Sequence, residues 1–295
     1  MTNRDKRMMT TTKVTNPPAR PRLALVLGSG GVRSAAALGI ADVLEGAGIR
    51  PDLIVGCSSG ALYGAAIAMG MSRATALTLW SPDLTEQRRW RAYAELLAPR
   101  LFGFGAHFSL RDAGRISARI QHGFGGWQLE SLPTPMRVVT TDATTGESVV
   151  LTRGSLADAL YASVALPFVF PSIAIDGRRL ADGVLSNPLP ISVASDAHAA
   201  ITLGFRGVMP RRIDRPGRLL AQVTTTMINN LQQARVQAAQ AAGQRVLSIE
   251  LDLDARIGLW QASAIPRIYE AGRRAAQLRL AEIAALLDET SAQAA

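Results

Sequence analysis

The tightest constraint on the fold is the stretch Asp52 to Gly64, which reads Asp-Leu-Ile-Val-Gly-Cys-Ser-Ser-Gly-Ala-Leu-Tyr-Gly. Its apolar run predicts a buried strand, Gly56-Cys57-Ser58-Ser59-Gly60 a sharp turn, and the Ala/Gly-rich sequence beyond it a helix packed close to a sheet. That order of elements gives a Gly-x-Ser-x-Gly pentapeptide the geometry of a nucleophile elbow, whereas the pentapeptide alone marks an ordinary turn. Gly56 and Gly60 leave room where a Cβ would collide, and Ser58 falls at a helix N-terminus, where free N–H groups favour a developing negative charge. Cys57, the only cysteine, reads as a small buried hydrophobe rather than a second nucleophile.

The remaining strands and helices alternate in the manner of an α/β chain. Arg22 to Leu27 predicts the first strand, followed by Gly28-Ser29-Gly30-Gly31-Val32-Arg33-Ser34 and a helix from about residue 35 to 48. This loop fails the dinucleotide fingerprint, because Arg33 stands where its third glycine belongs, and it lacks the Gly-Lys-Ser/Thr of a P-loop. Its consecutive glycines still present backbone N–H groups as an anion cradle, of the kind that holds the oxyanion of a tetrahedral intermediate. Strands are expected at residues 53–55, 136–141, 148–151, 200–205 and 245–251, and helices at 155–163, 217–242 and, as one long element, 265–287. Ile173 to Leu180 reads as a hairpin turning at Asp176-Gly177. A second Asp-Gly, Asp182-Gly183, has no partner strand after it, so turn chemistry does not account for Asp182.

Composition narrows the partners. Lys and Arg number 32 against 23 Asp and Glu, a net charge of +9 with pI near 10.8, which favours anionic partners. The arginines are scattered and no nucleic-acid-binding signature is present, so an anionic membrane surface is the expected partner and nucleic acid is not. Residues 72–101 read as helical or irregular, and within them Trp80, Trp90 and Tyr93 among Arg88, Arg89, Arg91 and Arg100 form a candidate interfacial segment, set against an ordinary amphipathic helix. Leu101 to Phe108 is a candidate lid or wall of a substrate channel. Residues 1–21 are polar and proline-rich and predict a disordered tail, with one folded domain over 22–290. No apolar run reaches the roughly 18 residues of a membrane span, and no signal-peptide core precedes a cleavage site, so a cytoplasmic location is expected, with peripheral contact at the inner membrane face.

Ser58 needs a base. Of His107, His122 and His198, only His198 lies far enough downstream for a Ser-Asp-His order, and its surroundings read as an ordinary helix end. The alternative is a dyad in which Asp182 accepts the proton, its basicity raised by burial. Four segments in order carry a resemblance to the patatin-like phospholipase family: the loop Gly28 to Arg33, the elbow at Ser58, the block Ala162 to Pro171, and Asp182-Gly183 with Asn187-Pro188-Leu189-Pro190. The resemblance covers roughly residues 22–205. It implies a three-layer α/β fold with a central, mostly parallel sheet flanked by helices. It further implies Ser58 as nucleophile, Asp182 as base, and the amides of Gly30, Gly31 and Val32 as oxyanion hole. Phospholipid or lysophospholipid esters would be cleaved through an acyl-enzyme, with no metal or organic cofactor. Ser34, Ala37 and Val184 depart from the family pattern. A positive φ required at Ser34 or Val184 would leave a catalytically impaired, lipid-binding member, and a soluble esterase or thioesterase using His198 is the other alternative.

Overall fold

The computed structural model describes residues 22–79, 108–111, 113–209, 212–251 and 257–293. The polar tail at residues 1–21, the tryptophan and arginine segment from Trp80, and most of the candidate lid lie outside the described residues.

An eight-stranded sheet forms the middle layer, in the order β5-β6-β3-β2-β1-β7-β8, with β4 also paired to β3. The strands are β1 (Leu23–Leu27), β2 (Leu53–Cys57), β3 (Met136–Asp142), β4 (Ser148–Leu151), β5 (Ile173–Ile175), β6 (Arg178–Asp182), β7 (Ala199–Leu203) and β8 (Val246–Ile249). β3, β2, β1, β7 and β8 run parallel, while β4, β5 and β6 are joined by antiparallel pairs. Apolar residues fill both faces of the parallel core, as a sheet covered on both sides requires. Leu23, Leu25 and Leu27 of β1 enter one core, and Ala24 and Val26 enter the other.

The first face is covered by α1 (Ala36–Gly46), α2 (Ser59–Ala68), α5 (Leu156–Val164) and α7 (Ile265–Leu278). The opposite face is covered by the 3-10 turn Ile191–Ala194 and the C-terminal half of α6 (Pro216–Ala241), through Val236 and Ala239. The result is the three-layer α/β arrangement. Asp176 and Gly177 take φ of 48° and 75° between β5 and β6, the left-handed pair that a two-residue hairpin needs.

Two findings differ from the sequence reading. The long helix expected over 265–287 is two, α7 and α8 (Leu280–Gln293), and the second continues past the expected end. The break falls at Arg279, whose guanidinium bonds the Ser248 carbonyl and Glu282, so a tertiary contact ends α7 without a glycine or proline. The helix α4 (Ala113–Phe124) is unannounced, although Ile116, Ile120 and Phe124 recur at helical spacing and are buried. A short α3 (Arg73–Leu77), capped by Ser72, accounts for the described part of the region read as helical or irregular.

Candidate active site

The registers around β3 explain how residues 124 apart in sequence meet. β4 pairs with Val138 to Thr141, β2 with Met136 to Val139, and β6 with Thr140 to Asp142. Since β4 shares residues with each of the others, it takes one edge of β3, and β2 and β6 take the other, meeting head to head. Cys57 ends opposite Val139 and Asp182 opposite Thr140. The turn after β2 and the end of β6 are thereby set against each other.

The two side chains touch. Ser58 Oγ donates to Asp182 Oδ2 at 2.8 Å. Ser58 has φ 55° and ψ −132°, a conformation L-residues seldom adopt outside over-determined sites. Two features impose it. The helix α2 starts directly at Ser59, and the Ser58 N–H donates to Ser163 Oγ at 2.8 Å, whose own hydroxyl donates to the Val139 carbonyl at 2.7 Å. Closeness of turn to sheet needs the glycines: a Cβ on Gly56 would lie 2.5 Å from Ala61 Cα, and one on Gly60 would collide with the carbonyls of Leu27 and Gly28.

Asp182 is held on all sides. Its N–H donates to the Ala165 carbonyl at 3.0 Å, its carbonyl accepts from Thr141 Oγ1 at 2.9 Å, and Oδ1 accepts from the Val184 N–H at 2.9 Å. Burial raises its pKa from the ordinary carboxylate range to about 7, against the lowering effect of the Val184 and Ser58 hydrogen bonds. Desolvation wins because Asp182 is 3% exposed and no cation among the described residues offsets it. Cys57 is fully buried, and desolvation, with the Asp182 charge, pushes its thiol well above the usual range, so it stays protonated and inert.

The glycine-rich loop lies alongside. Gly30 N–H donates to Ser59 Oγ at 3.2 Å and Val32 N–H to the Leu259 carbonyl at 3.0 Å. The Gly31 N–H, at the first position of a 3-10 turn with φ 60°, has no partner among the described residues. Ser34 Oγ bonds Ser59 Oγ at 2.8 Å. Neither Ser34 nor Val184 is among the residues with positive φ. The strain considered for those two departures is absent, because Ser34 sits in a right-handed turn and Val184 in the turn that Asp182 caps.

His198 precedes β7, level with Arg22 at the start of β1. Ser58 follows the other end of β2, so the two are separated by the sheet's length, roughly 17 Å or more at about 3.3 Å per residue. His122 lies in the last turn of α4, and His107 is outside the described residues.

Ser163 and Thr141 are positioning residues without an assigned role in the sequence reading. Ser163 is fully buried in the last turn of α5, a position that nothing local in the sequence sets apart. We expect Ser163→Ala to lower kcat about tenfold with KM little changed and to cost about 1–2 kcal/mol of stability, since it leaves the Ser58 amide and Val139 carbonyl without their shared partner. Steady-state kinetics and urea unfolding measure both.

A cavity of about 510 Å³ opens beside the loop, with Arg33, Thr202, Phe205, Val208, Gln232 and Ser248 among its walls. Neither Ser58 nor Asp182 lines it.

Residues 25–195, more than half the chain, match the family model described as patatin-like phospholipase. An uncharacterized NTE family protein of Mycobacterium tuberculosis is 36% identical over 183 residues, 62% of this chain and 48% of that protein. A second from the same organism is 31% identical over 281 residues, 88% of this chain and 46% of that protein. The chain thus spans about half the length of these curated relatives. The crystal structure of VipD from Legionella pneumophila covers 92% of this chain and 67% of its own at 14% identity and TM-score 0.45.

Proposed function

The chain belongs to the patatin-like phospholipase family, and on that premise we propose that it is a lipid acyl hydrolase. It cleaves carboxylic esters of phospholipids or lysophospholipids through a Ser58–Asp182 dyad and an acyl-enzyme. The observation that carries this reading is the 2.8 Å hydrogen bond from the Ser58 hydroxyl to a buried carboxylate.

Asp182 Oδ2 takes the proton as Ser58 Oγ attacks the acyl carbon, and the tetrahedral oxyanion forms beside the loop amides. With Gly30 and Val32 donating elsewhere, the Gly31 N–H is the amide we assign to the oxyanion, aided by the α2 N-terminus. Asp182 then returns the proton to the departing alkoxide, leaving the acyl group on Ser58. A water enters, gives its proton to Asp182, and attacks the acyl carbon; fatty acid leaves as Ser58 Oγ recovers the proton. A carboxylate with pKa near 7 suits both transfers, since it is neither fully protonated nor weakly basic at neutral pH. The Ser-His alternative has no geometric support, given the position of His198.

Among the described residues no helix is long and apolar enough to cross a membrane. Peripheral contact of a cytoplasmic protein with an anionic membrane accords with the net charge of +9. The test is release of free fatty acid from a panel of phospholipids and lysophospholipids by the wild type and by Ser58→Ala. Release by the wild type alone is expected; no release from any member of the panel, or equal release by the variant, would overturn the proposal.

A further inference from the structure

The helix α6 buries one side only. At 100° per residue, the buried Gln232 and Ala239 and the partly buried Val236 share the side toward the sheet. Leu219, Leu220, Val223 and Met227 fall within a 100° arc on the opposite side, each between 49% and 66% exposed. The segment leading into the helix adds Val208, Met209 and Ile213, exposed by 57%, 39% and 52%. It is drawn alongside by Asn229, which accepts from the Gly207 N–H at 2.7 Å and donates to its carbonyl at 3.0 Å. A contiguous exposed apolar strip of this length marks an interaction surface.

The charges beside the strip identify the occupant. The described residues among 206–218 include Arg206, Arg212, Arg215 and Arg218 against one acid, Asp214, which pairs with Arg218 at 2.8 Å. The helix itself has no Asp or Glu in its 26 residues. A second copy docking face to face would set these arginines against their own kind. Anionic lipid head groups complement them, and an apolar strip flanked by arginines is how a helix lies in the interfacial plane.

We propose that the outer face of α6, with residues 206–209 and 212–218, docks on an anionic lipid bilayer. The segment leaves the C-terminal end of β7, and β1, β2 and β7 run parallel, so the docked face lies at the sheet edge that carries the glycine-rich loop and Ser58. Val208 belongs to both the strip and the wall of the cavity beside that loop. The purpose of docking, delivery of a lipid ester to Ser58, rests on the proposed hydrolase activity; the docking itself does not.

The test is cosedimentation of the full chain with vesicles of phosphatidylcholine alone or with added phosphatidylglycerol. Val223→Asp/Met227→Asp and Arg212→Gln/Arg215→Gln serve as variants, and circular dichroism with turnover of a soluble p-nitrophenyl ester serves as the control for intact fold and site. The wild type is expected to pellet with the anionic vesicles. Each double variant should bind them about twentyfold or more weakly, with soluble-ester turnover unchanged. Binding that survives either pair, or wild type that ignores anionic vesicles, would overturn the proposal. So would a dimer abolished by Val223→Asp/Met227→Asp, which would assign the strip to a second copy. Vesicle binding as expected with no turnover of any ester would instead sink the hydrolase reading and leave the docking surface standing.

Discussion

Ser58→Ala is expected to lower kcat/KM for any acyl ester by about 10⁴-fold or more, the scale seen when the nucleophile of a coupled catalytic group is removed. No neighbouring group can substitute. Cys57 is buried and held as the thiol, and the Ser59 hydroxyl is engaged with the Gly30 N–H and Ser34. The variant should remain folded, because alanine keeps the backbone amide that bonds Ser163. Hydrolysis of a p-nitrophenyl ester, with circular dichroism as control, measures the effect; activity within tenfold of the wild type would remove Ser58 from the chemistry.

Asp182→Asn is expected to lower the rate by about 10³–10⁴-fold while making the protein more stable at alkaline pH. The sign follows from the direction of the shift. Burial raises the folded-state pKa from 3.8 to about 7, so the folded protein holds its proton more tightly than the unfolded chain does. Ionising Asp182 therefore destabilises the fold progressively between about pH 4 and pH 7, fully above 7 and not at all below 4. Asparagine keeps Oδ1 as acceptor for the Val184 N–H, turns an amide N–H toward Ser58 Oγ in place of the second acceptor, and carries no charge, so the variant's advantage should be near zero at pH 4 and on the order of 2–4 kcal/mol at pH 8. Urea unfolding at the two pH values tests it. Equal stabilities at pH 8 would mean that the carboxylate is not held against its own ionisation.

Much of this was legible in the sequence because it rests on local chemistry. The parallel strands show as short apolar runs, the β5–β6 hairpin as Asp176-Gly177, and the elbow as glycines spaced to let a helix approach a strand. Asp182 stood out because turn chemistry left it unexplained, and it does hold a structural post as well, capping the turn at Gly183. What could not be read was contact across the chain. The head-to-head meeting of β2 and β6 on one edge of β3 depends on three registers at once. Nothing near Ser163 announces that its hydroxyl will hold the Ser58 amide, and nothing near Arg279 announces that Ser248 will end a helix there. Leu259 is 227 residues from the Val32 amide it accepts from, so its claim on one of the three expected oxyanion donors has no local signature. The strain considered at Ser34 and Val184 is absent because both residues lie in right-handed turns, a conformation their neighbours do not reveal.

The central claim is that the buried Asp182 carboxylate activates Ser58 directly. Its most direct test is the rate of inactivation by a fluorophosphonate as a function of pH, in the wild type, Asp182→Asn and His198→Ala. The wild type and His198→Ala should share a rate that rises with pH through an inflection near 7, where Asp182 loses its proton, and Asp182→Asn should be slow with no inflection there. An inflection that persists in Asp182→Asn, or that disappears in His198→Ala, would contradict the account.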